Sequence, residues 1–169
     1  MKDFLKNCND KVEKRILCLG ARAGDEVAAL RKLGYEKTIG VDIQPINILP
    51  DMVEQGDVHN LKYDDDSFDI LYSNILDHLH FSSFEKFTNE CKRILKKNGI
   101  IIFDVGLNAE TGLYESFSIK NSNFIVKYFI ENEYELLKNE SNQWLSQNIE
   151  YSLNHTIILK APSGVVILS

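Results

Sequence analysis

The sequence predicts an α/β fold, a doubly wound and mainly parallel sheet with an antiparallel strand at its C-terminal edge. Short apolar runs alternate with segments whose apolar residues recur every three to four positions, which indicates strands alternating with helices. Two final apolar runs, at residues 134–137 and 155–159, can add antiparallel pairing at one edge. The length of 169 residues favours a single domain over residues 1–169.

The first half of the chain opens with a strand, a turn and a helix. The apolar residues 16–19 predict a buried strand, and the turn after it contains Gly20 and Gly24. Apolar residues at helical spacing then predict a helix that begins near Gly24 and ends at a Gly34 C-terminal cap. Further apolar runs predict three strands, at residues 37–42, 52–57 and 68–73.

The second half supplies two helices and the remaining strands. Phe84, Phe87 and Cys91 mark the clearer helix, and residues 82–85 fit a capping box at its start. Residues 100–105 predict a fifth strand. A looser segment at residues 106–120 leads to a helix and the final strand pair; this helix carries Phe124, Ile125, Tyr128 and Phe129.

Composition excludes several classes of function. The net charge of −6 opposes unaided binding of nucleic acid. Since no apolar stretch approaches the roughly 18 residues of a membrane span and no signal peptide is visible, a cytoplasmic protein is expected. The three cysteines, Cys8, Cys18 and Cys91, lack CxxC spacing, so neither a disulfide framework nor a metal site is indicated.

The Gly20 turn and Asp42 predict a nucleoside-binding site. The turn opens a helix whose N-terminal amides suit an anionic group, and an acidic residue ending the second strand can accept hydrogen bonds from a ribose diol. Because GxGxxG is absent, a nucleoside with a small charged tail fits better than a dinucleotide. Alternatively, the glycines only close a tight turn in an ordinary α/β core.

Several polar or glycine positions fall just past predicted strand ends. Ligands of such sheets bind at the carboxyl ends of the strands, so these positions are expected to converge on one crevice. They are Gly20, Asp42, Asp57, Asn74 and Gly106.

Five segments in order resemble the motifs of class I S-adenosylmethionine-dependent methyltransferases. They lie at residues 16–24, 40–42, 56–61, 67–74 and 90–99, within a resemblance that spans about residues 15–105. The resemblance implies a Rossmann-like sheet, S-adenosylmethionine as cofactor and methyl transfer to an acceptor that the sequence does not identify.

The resemblance also implies roles for individual residues. Asp42 would bind the ribose hydroxyls and Asp57 the adenine amino group, while Val58 and His59 flank the base. The alternatives are a strand-end Asp42 that caps a neighbouring turn, and an Asx-turn at Asp57. The implied cofactor-binding residues are Gly20, Ala21, Arg22, Gly24, Glu26, Asp42, Ile43, Asp57, Val58 and Asn74.

Two positions depart from the family pattern. Cys18 stands where an acidic residue commonly helps to hold the amino group of the cofactor, and Arg22 stands where a glycine is common. We expect Glu26 to replace that acid in part, with Arg22 facing the methionine carboxylate. The alternative is a surface ion pair between Arg22 and Glu26, four positions apart on one helix face.

The catalytic candidates follow the fourth strand. Asn74 could orient an acceptor, and Asp77 or His78 could act as a base where the acceptor must lose a proton. Many methyltransferases that act on amino groups carry an Asn-Pro-Pro-aromatic motif at this position. Asn74 is not followed by Pro-Pro, so the resemblance weakens DNA adenine or protein glutamine as acceptors. Either residues 107–120 close over the acceptor, or an open site receives a large substrate or a partner protein.

Two other functions compete with methyl transfer. Because Cys18 and Arg22 depart from the pattern, a noncatalytic methyltransferase-like module that serves as a partner subunit is the main alternative. A nicotinamide oxidoreductase is less favoured, since its glycine fingerprint is missing.

Overall fold

The computed structural model describes residue 5 and residues 10–46, 51–106, 122–146 and 149–163. Ten helices and strands follow one another along these ranges. They are β1 (Ile16–Leu19), α1 (Asp25–Lys32), β2 (Thr38–Asp42), β3 (Val53–Gln55), β4 (Phe68–Ser73), α2 (Phe84–Ile94), β5 (Leu95–Gly106), α3 (Ser122–Glu131), β6 (Glu135–Ser146) and β7 (Ile149–Lys160). Two 3-10 turns, Leu76–His78 and Phe81–Ser83, lie between β4 and α2. No helix within these ranges has the length and apolar character needed to cross a bilayer.

All seven strands form one sheet in the order β3-β2-β1-β4-β5-β7-β6. The pairs from β3 to β5 are parallel, whereas β7 pairs antiparallel with both β5 and β6. The predicted fold class is confirmed. The antiparallel strand lies one position in from the edge, because β6 pairs along its outer side.

Helices cover both faces of the sheet, as the doubly wound class requires. Successive residues of a strand point to opposite faces. Leu19 accordingly packs in the cluster that contains Phe87 of α2 and Phe129 of α3, whereas the adjacent Cys18 packs with Leu30 of α1. Each face of β1 is therefore buried, which explains its uninterrupted apolar sequence.

Gly34 follows the C-cap residue Leu33 and closes the C-terminus of α1, as predicted. Gly34 adopts a φ of 98°, and its N–H donates to the Arg31 carbonyl at 2.9 Å. The N–H of Tyr35 donates to the Leu30 carbonyl at 3.1 Å, which completes a Schellman motif. A left-handed residue at this position favours glycine.

The predicted capping box at residues 82–85 is wrong. Ser83 is the N-cap of α2, but its side chain makes no capping hydrogen bond. Its Oγ instead donates to the His80 carbonyl at 2.9 Å, and the backbone N–H of Ser82 donates to His80 Nδ1 at 3.2 Å. His80 is the N-cap of the 3-10 turn Phe81–Ser83, which leads directly into α2, so the side-chain cap of this joined segment comes from a histidine and not from a serine.

Four strands differ clearly in extent from the predictions. β5 begins at Leu95, directly after α2, and β6 and β7 each span 12 residues. β3 is shorter, with three residues. Much of the added length in β6 is polar, so an apolar-run criterion misses it, although polar residues make the same backbone hydrogen bonds in a hairpin.

Candidate functional site

A cleft of about 630 Å³ lies at the carboxyl ends of β1, β2 and β4 and beside the residues that follow β3. This is the location that the strand-end positions predict. Most of the predicted site residues line it, namely Gly20, Ala21, Arg22, Glu26, Asp42, Ile43, Asp57, Val58, Asn74 and His78.

The turn after β1 forms one wall of the cleft in a tightly wound conformation. Gly20, Arg22 and Gly24 have φ values of 76°, 36° and 84°. The N–H groups of Gly20 and Ala21 both donate to the Val41 carbonyl, at 2.8 and 3.1 Å, which fixes the turn against β2. Arg22 thus holds a left-handed conformation that favours glycine, the residue common at this position in the resembling family.

Gly20 leaves no room for a side chain. A Cβ at this position would lie 1.7 Å from Cγ2 of Ile75, which follows β4. Ile75 therefore lies directly against the turn, and both residues line the cleft.

Asp42 connects the end of β2 to the turn. Its Oδ2 accepts a hydrogen bond from the Arg22 backbone N–H at 3.0 Å, and its Oδ1 accepts one from the Gln44 N–H at 2.8 Å. The turn-capping alternative is thus present in the structure. Each carboxylate oxygen can accept a further hydrogen bond, so capping also orients Asp42 for a ligand in the cleft.

Asp57 forms an Asx-turn, which is the alternative interpretation of this position from the sequence. Its Oδ1 accepts from the His59 backbone N–H at 2.8 Å and lies 2.8 Å from His59 Nδ1. The backbone hydrogen bond from His59 lowers the pKa of Asp57, which keeps the carboxylate ionised. Its Oδ2 has no hydrogen bond within the described ranges, while the buried Nε2 of His59 likewise has no partner there.

Glu26 joins α1 to the end of β4. Its Oε1 accepts a hydrogen bond from Nδ2 of Asn74 at 2.9 Å, and burial raises the pKa of the Glu26 carboxyl. Burial also raises the pKa of the neighbouring Cys18 thiol, so Cys18 remains neutral. Glu26 is therefore the acidic group beside the position where Cys18 departs from the family pattern.

The alternative ion pair between Arg22 and Glu26 is not formed among the described residues. Arg22 is exposed at the cleft, whereas Glu26 is half-buried and held by Asn74. The two side chains thus line the cleft separately, which is the arrangement that the expected separate roles of Glu26 and Arg22 require.

Some predicted residues do not line the cleft or fall outside the described parts. Gly24 is buried and serves as the N-cap of α1. The side chain of Asp77 and residues 107–120 lie outside the described parts of the structure. His78 is exposed at the cleft, and Gly106 ends β5.

Sequence reasoning missed several lining residues. Ile75 and Leu79 are apolar residues of the segment after β4, on either side of the 3-10 turn Leu76–His78. Their place beyond a strand end is the signal that could have identified them. Ala23, Asp25 and Gly56 also line the cleft.

A family model described as a methyltransferase domain matches residues 17–103, which include the Gly20 turn and both Asp42 and Asp57. The chain belongs to the S-adenosylmethionine-dependent methyltransferases. The methyltransferase cofactor is S-adenosylmethionine, and the cleft offers groups that suit it: two carboxylates, a glycine turn and an acidic side chain in the first turn of α1.

The chain is similar to several known proteins. It is 31% identical over 108 residues to the uncharacterized methyltransferase YcgJ of Bacillus subtilis (strain 168), a match that covers 57% of this chain and 42% of YcgJ. The sequence match therefore spans less than half the length of that relative.

Solved structures share the methyltransferase fold. An S-adenosylmethionine-dependent methyltransferase of Methanosarcina mazei superimposes with a TM-score of 0.70 at 16% identity, covering 88% of this chain and 92% of that one. A chain in the complex of the Haloferax volcanii Trm112 methyltransferase activator with the putative methyltransferase gives a TM-score of 0.74 at 17% identity, covering 97% and 89%.

Proposed function

We propose that this protein transfers the methyl group of S-adenosylmethionine to an acceptor bound at the rim of the cleft. One observation carries the proposal: the carboxylates of Asp42 and Asp57, from two successive strand ends, line the same cleft as the Gly20 turn. An adenosine needs acceptors at its sugar and its base, and this arrangement supplies one for each.

The adenosine end would be held by four side chains. Asp42 accepts from the ribose hydroxyls and Asp57, through Oδ2, from the adenine amino group. Ile43, whose side chain is 66% exposed, and the buried Val58 supply apolar contact to the base. Each charge-assisted hydrogen bond contributes about 1.5–3 kcal/mol when shielded from water.

The methionine end would be held by Glu26 and Arg22. Glu26 attracts the ammonium group, a role that the neutral Cys18 cannot perform, and Asn74 fixes the carboxylate in place through the 2.9 Å hydrogen bond. Arg22, an exposed residue that lines the cleft, would attract the methionine carboxylate through its positive charge.

The chain contributes orientation more than acid–base chemistry. The sulfonium of the bound cofactor is an activated methyl donor with a neutral leaving group. Aligning an acceptor with it can supply about 7–11 kcal/mol in favourable cases. Asn74 and His78 lie at the cleft, where Asn74 orients the acceptor, and Asp77 or His78 removes a proton where the acceptor requires it.

The second candidate function is a noncatalytic methyltransferase-like partner subunit. The strained Arg22 and the neutral Cys18 favour it, because both depart from the family pattern. The Haloferax volcanii neighbour was solved with an activator protein, and we include a partner protein among the proposals for this chain. A single domain over residues 1–169 and a cytoplasmic location also remain proposals.

Calorimetric titration with S-adenosylhomocysteine, the reaction product, tests cofactor binding. We expect Asp42→Asn, Arg22→Ala and Glu26→Gln each to weaken binding about tenfold or more, the loss of one charge-assisted interaction. Asp64→Asn, a charge-neutralising change at an exposed residue outside the cleft, is the control. If Arg22→Ala and Glu26→Gln both bind S-adenosylhomocysteine with unchanged affinity, the proposed contacts to the methionine end are wrong.

Turnover separates the two functions. Incubation with labelled S-adenosylmethionine and a panel of acceptors should yield S-adenosylhomocysteine if the protein is an enzyme. Binding without product across the panel would favour the partner subunit instead.

A further inference from the structure

A pair of charged residues on α2 holds the loop that contains Asp57. This loop, residues 56–67, connects β3 to β4 and is here named the β3–β4 loop. Glu90 and Arg93 lie one helical turn apart and form a two-point ion pair, with Nε to Oε1 and Nη2 to Oε2 both at 2.9 Å. The pair lies outside the cleft and has no part in the proposed cofactor contacts.

Both partners also bind the backbone of the β3–β4 loop. Oε2 of Glu90 accepts a hydrogen bond from the Leu61 N–H at 2.7 Å, and Nη2 of Arg93 donates to the Leu61 carbonyl at 2.9 Å. Nη1 of Arg93 donates to the Tyr63 carbonyl at 2.7 Å and to Oδ1 of Asp65 at 2.9 Å. The ion pair thus fixes both backbone groups of Leu61.

Leu61 lies next to the turn that presents Asp57. The N–H of Asn60 donates to the Asp57 carbonyl at 2.9 Å, and these two residues form an isolated antiparallel bridge. The side chains of Val58 and Leu61, buried to 8% and 6% exposure, anchor the two ends of the turn in the core. Holding Leu61 therefore holds the direction of the Asp57 carboxylate.

The geometry of the pair depends on a guanidinium group. The side chains of Glu90 and Arg93 are 18% and 31% exposed, and the hydrogen bonds from Arg93 lower the pKa of Glu90. A planar guanidinium can donate hydrogen bonds to a carboxylate and to two backbone carbonyls at the same time. The ammonium of a lysine cannot make the same set of hydrogen bonds.

We propose that Glu90 and Arg93 are positioning residues that set the selectivity of the cleft for adenine. They act through the β3–β4 loop, by keeping the Asp57 carboxylate directed at the amino group of the base. This inference rests on the proposed function, in which Asp57 accepts from that amino group.

The test compares S-adenosylhomocysteine with S-inosylhomocysteine, whose base carries a carbonyl in place of the amino group. The wild-type protein should bind the adenosine compound about tenfold more tightly, because a carboxylate cannot accept from a carbonyl. In Arg93→Lys and Glu90→Gln this preference should fall to about threefold or less. Affinity for the inosine compound should stay within about threefold of the wild-type value.

Two control variants sharpen the comparison. Lys62→Ala removes an ion pair to Glu54, at 2.9 Å, from the same loop and should leave the preference unchanged. Asp57→Asn should remove the preference for S-adenosylhomocysteine over S-inosylhomocysteine, because it changes the proposed acceptor itself.

The possible outcomes are distinct. A general structural role for the ion pair would weaken binding of both compounds equally, and that result would overturn the inference, as would an unchanged preference in Arg93→Lys and Glu90→Gln. A wild-type protein that binds both compounds equally overturns it while leaving cofactor binding intact. Failure of the wild-type protein to bind either compound overturns the proposed function as well.

Discussion

At the scale of single residues, the turn after β1 shows a conflict between backbone and side-chain requirements. Arg22 holds φ at 36°, in the left-handed region that costs most L-residues about 1–2 kcal/mol. Glu26 is held in a partly buried position that disfavours its charge. Both features lower the stability of the folded protein, and both place a charged side chain at the cleft, where we propose that the methionine end of the cofactor binds.

Glu26 gives a prediction for the pH dependence of stability. Burial raises its pKa in the folded state, so the folded protein binds this proton more tightly than the unfolded chain does. The stability contributed by protonated Glu26 is therefore complete at low pH and is lost as the pH rises through the raised pKa. Glu26→Gln should be more stable than wild type at neutral pH, and this advantage should shrink as the pH falls.

Urea unfolding of the ligand-free protein at several pH values between about 4 and 8 measures this difference, a range that spans the ordinary glutamate pKa. Asp64→Asn, at an exposed acid outside the cleft that does not influence the pKa of Glu26, is the control. A Glu26→Gln protein that is less stable than wild type at neutral pH would contradict the prediction.

At the scale of elements, one carboxylate links three strands of the sheet. Asp104 of β5 accepts a hydrogen bond from the Tyr72 hydroxyl of β4 at 3.0 Å and from Oγ1 of Thr156 of β7 at 2.5 Å. Thr156 and Tyr72 are buried, at 3% and 6% exposure. The network joins the parallel part of the sheet to the antiparallel strand.

Removing either hydroxyl should weaken this connection. We expect Thr156→Val and Tyr72→Phe each to lower the free energy of unfolding by about 1–3 kcal/mol, because a partly buried carboxylate loses a donor. The double variant should deviate from additivity, since both hydroxyls share Asp104. Equilibrium denaturation in urea measures all three values; single changes below about 0.5 kcal/mol, the usual range for surface substitutions, would contradict the expectation.

The strands show which parts of the fold and of the cleft can be predicted from the sequence and which cannot. β1, β2 and β4 are predicted because strands buried on both faces require continuous apolar residues, and their ends place Asp42 and Asn74 at the cleft. The full lengths of β6 and β7 are missed, since a hairpin extends through backbone hydrogen bonds that leave no apolar pattern. The contacts of Arg93 with Leu61 are missed because no local spacing reports a contact 32 positions away along the chain.

At the scale of the whole molecule, the cleft joins parts that are distant in sequence. It is bounded by the turn after β1, the end of β2, the β3–β4 loop and the residues after β4. A ligand that binds all of these segments in the folded state, and none in the unfolded chain, stabilises the entire domain by mass action.

Thermal unfolding should therefore respond to the cofactor product. S-adenosylhomocysteine at 100 times its dissociation constant should add about 2.7 kcal/mol to the stability of the wild-type protein. The same concentration should stabilise Asp42→Asn much less, and NADH should have no effect, because the turn lacks the third glycine of a dinucleotide site. Equal stabilisation by NADH would contradict the assignment.

The contact between Gly20 and Ile75 limits how the cleft can be altered by mutation. A methyl group at residue 20 would lie 1.7 Å from Cγ2 of Ile75, and the φ of 76° would strain any side chain there even if residue 75 were smaller. A library that varies residue 20 should therefore return mainly glycine, whether or not Ile75 is shortened. Engineering of the cleft should accordingly keep Gly20 and vary residue 75.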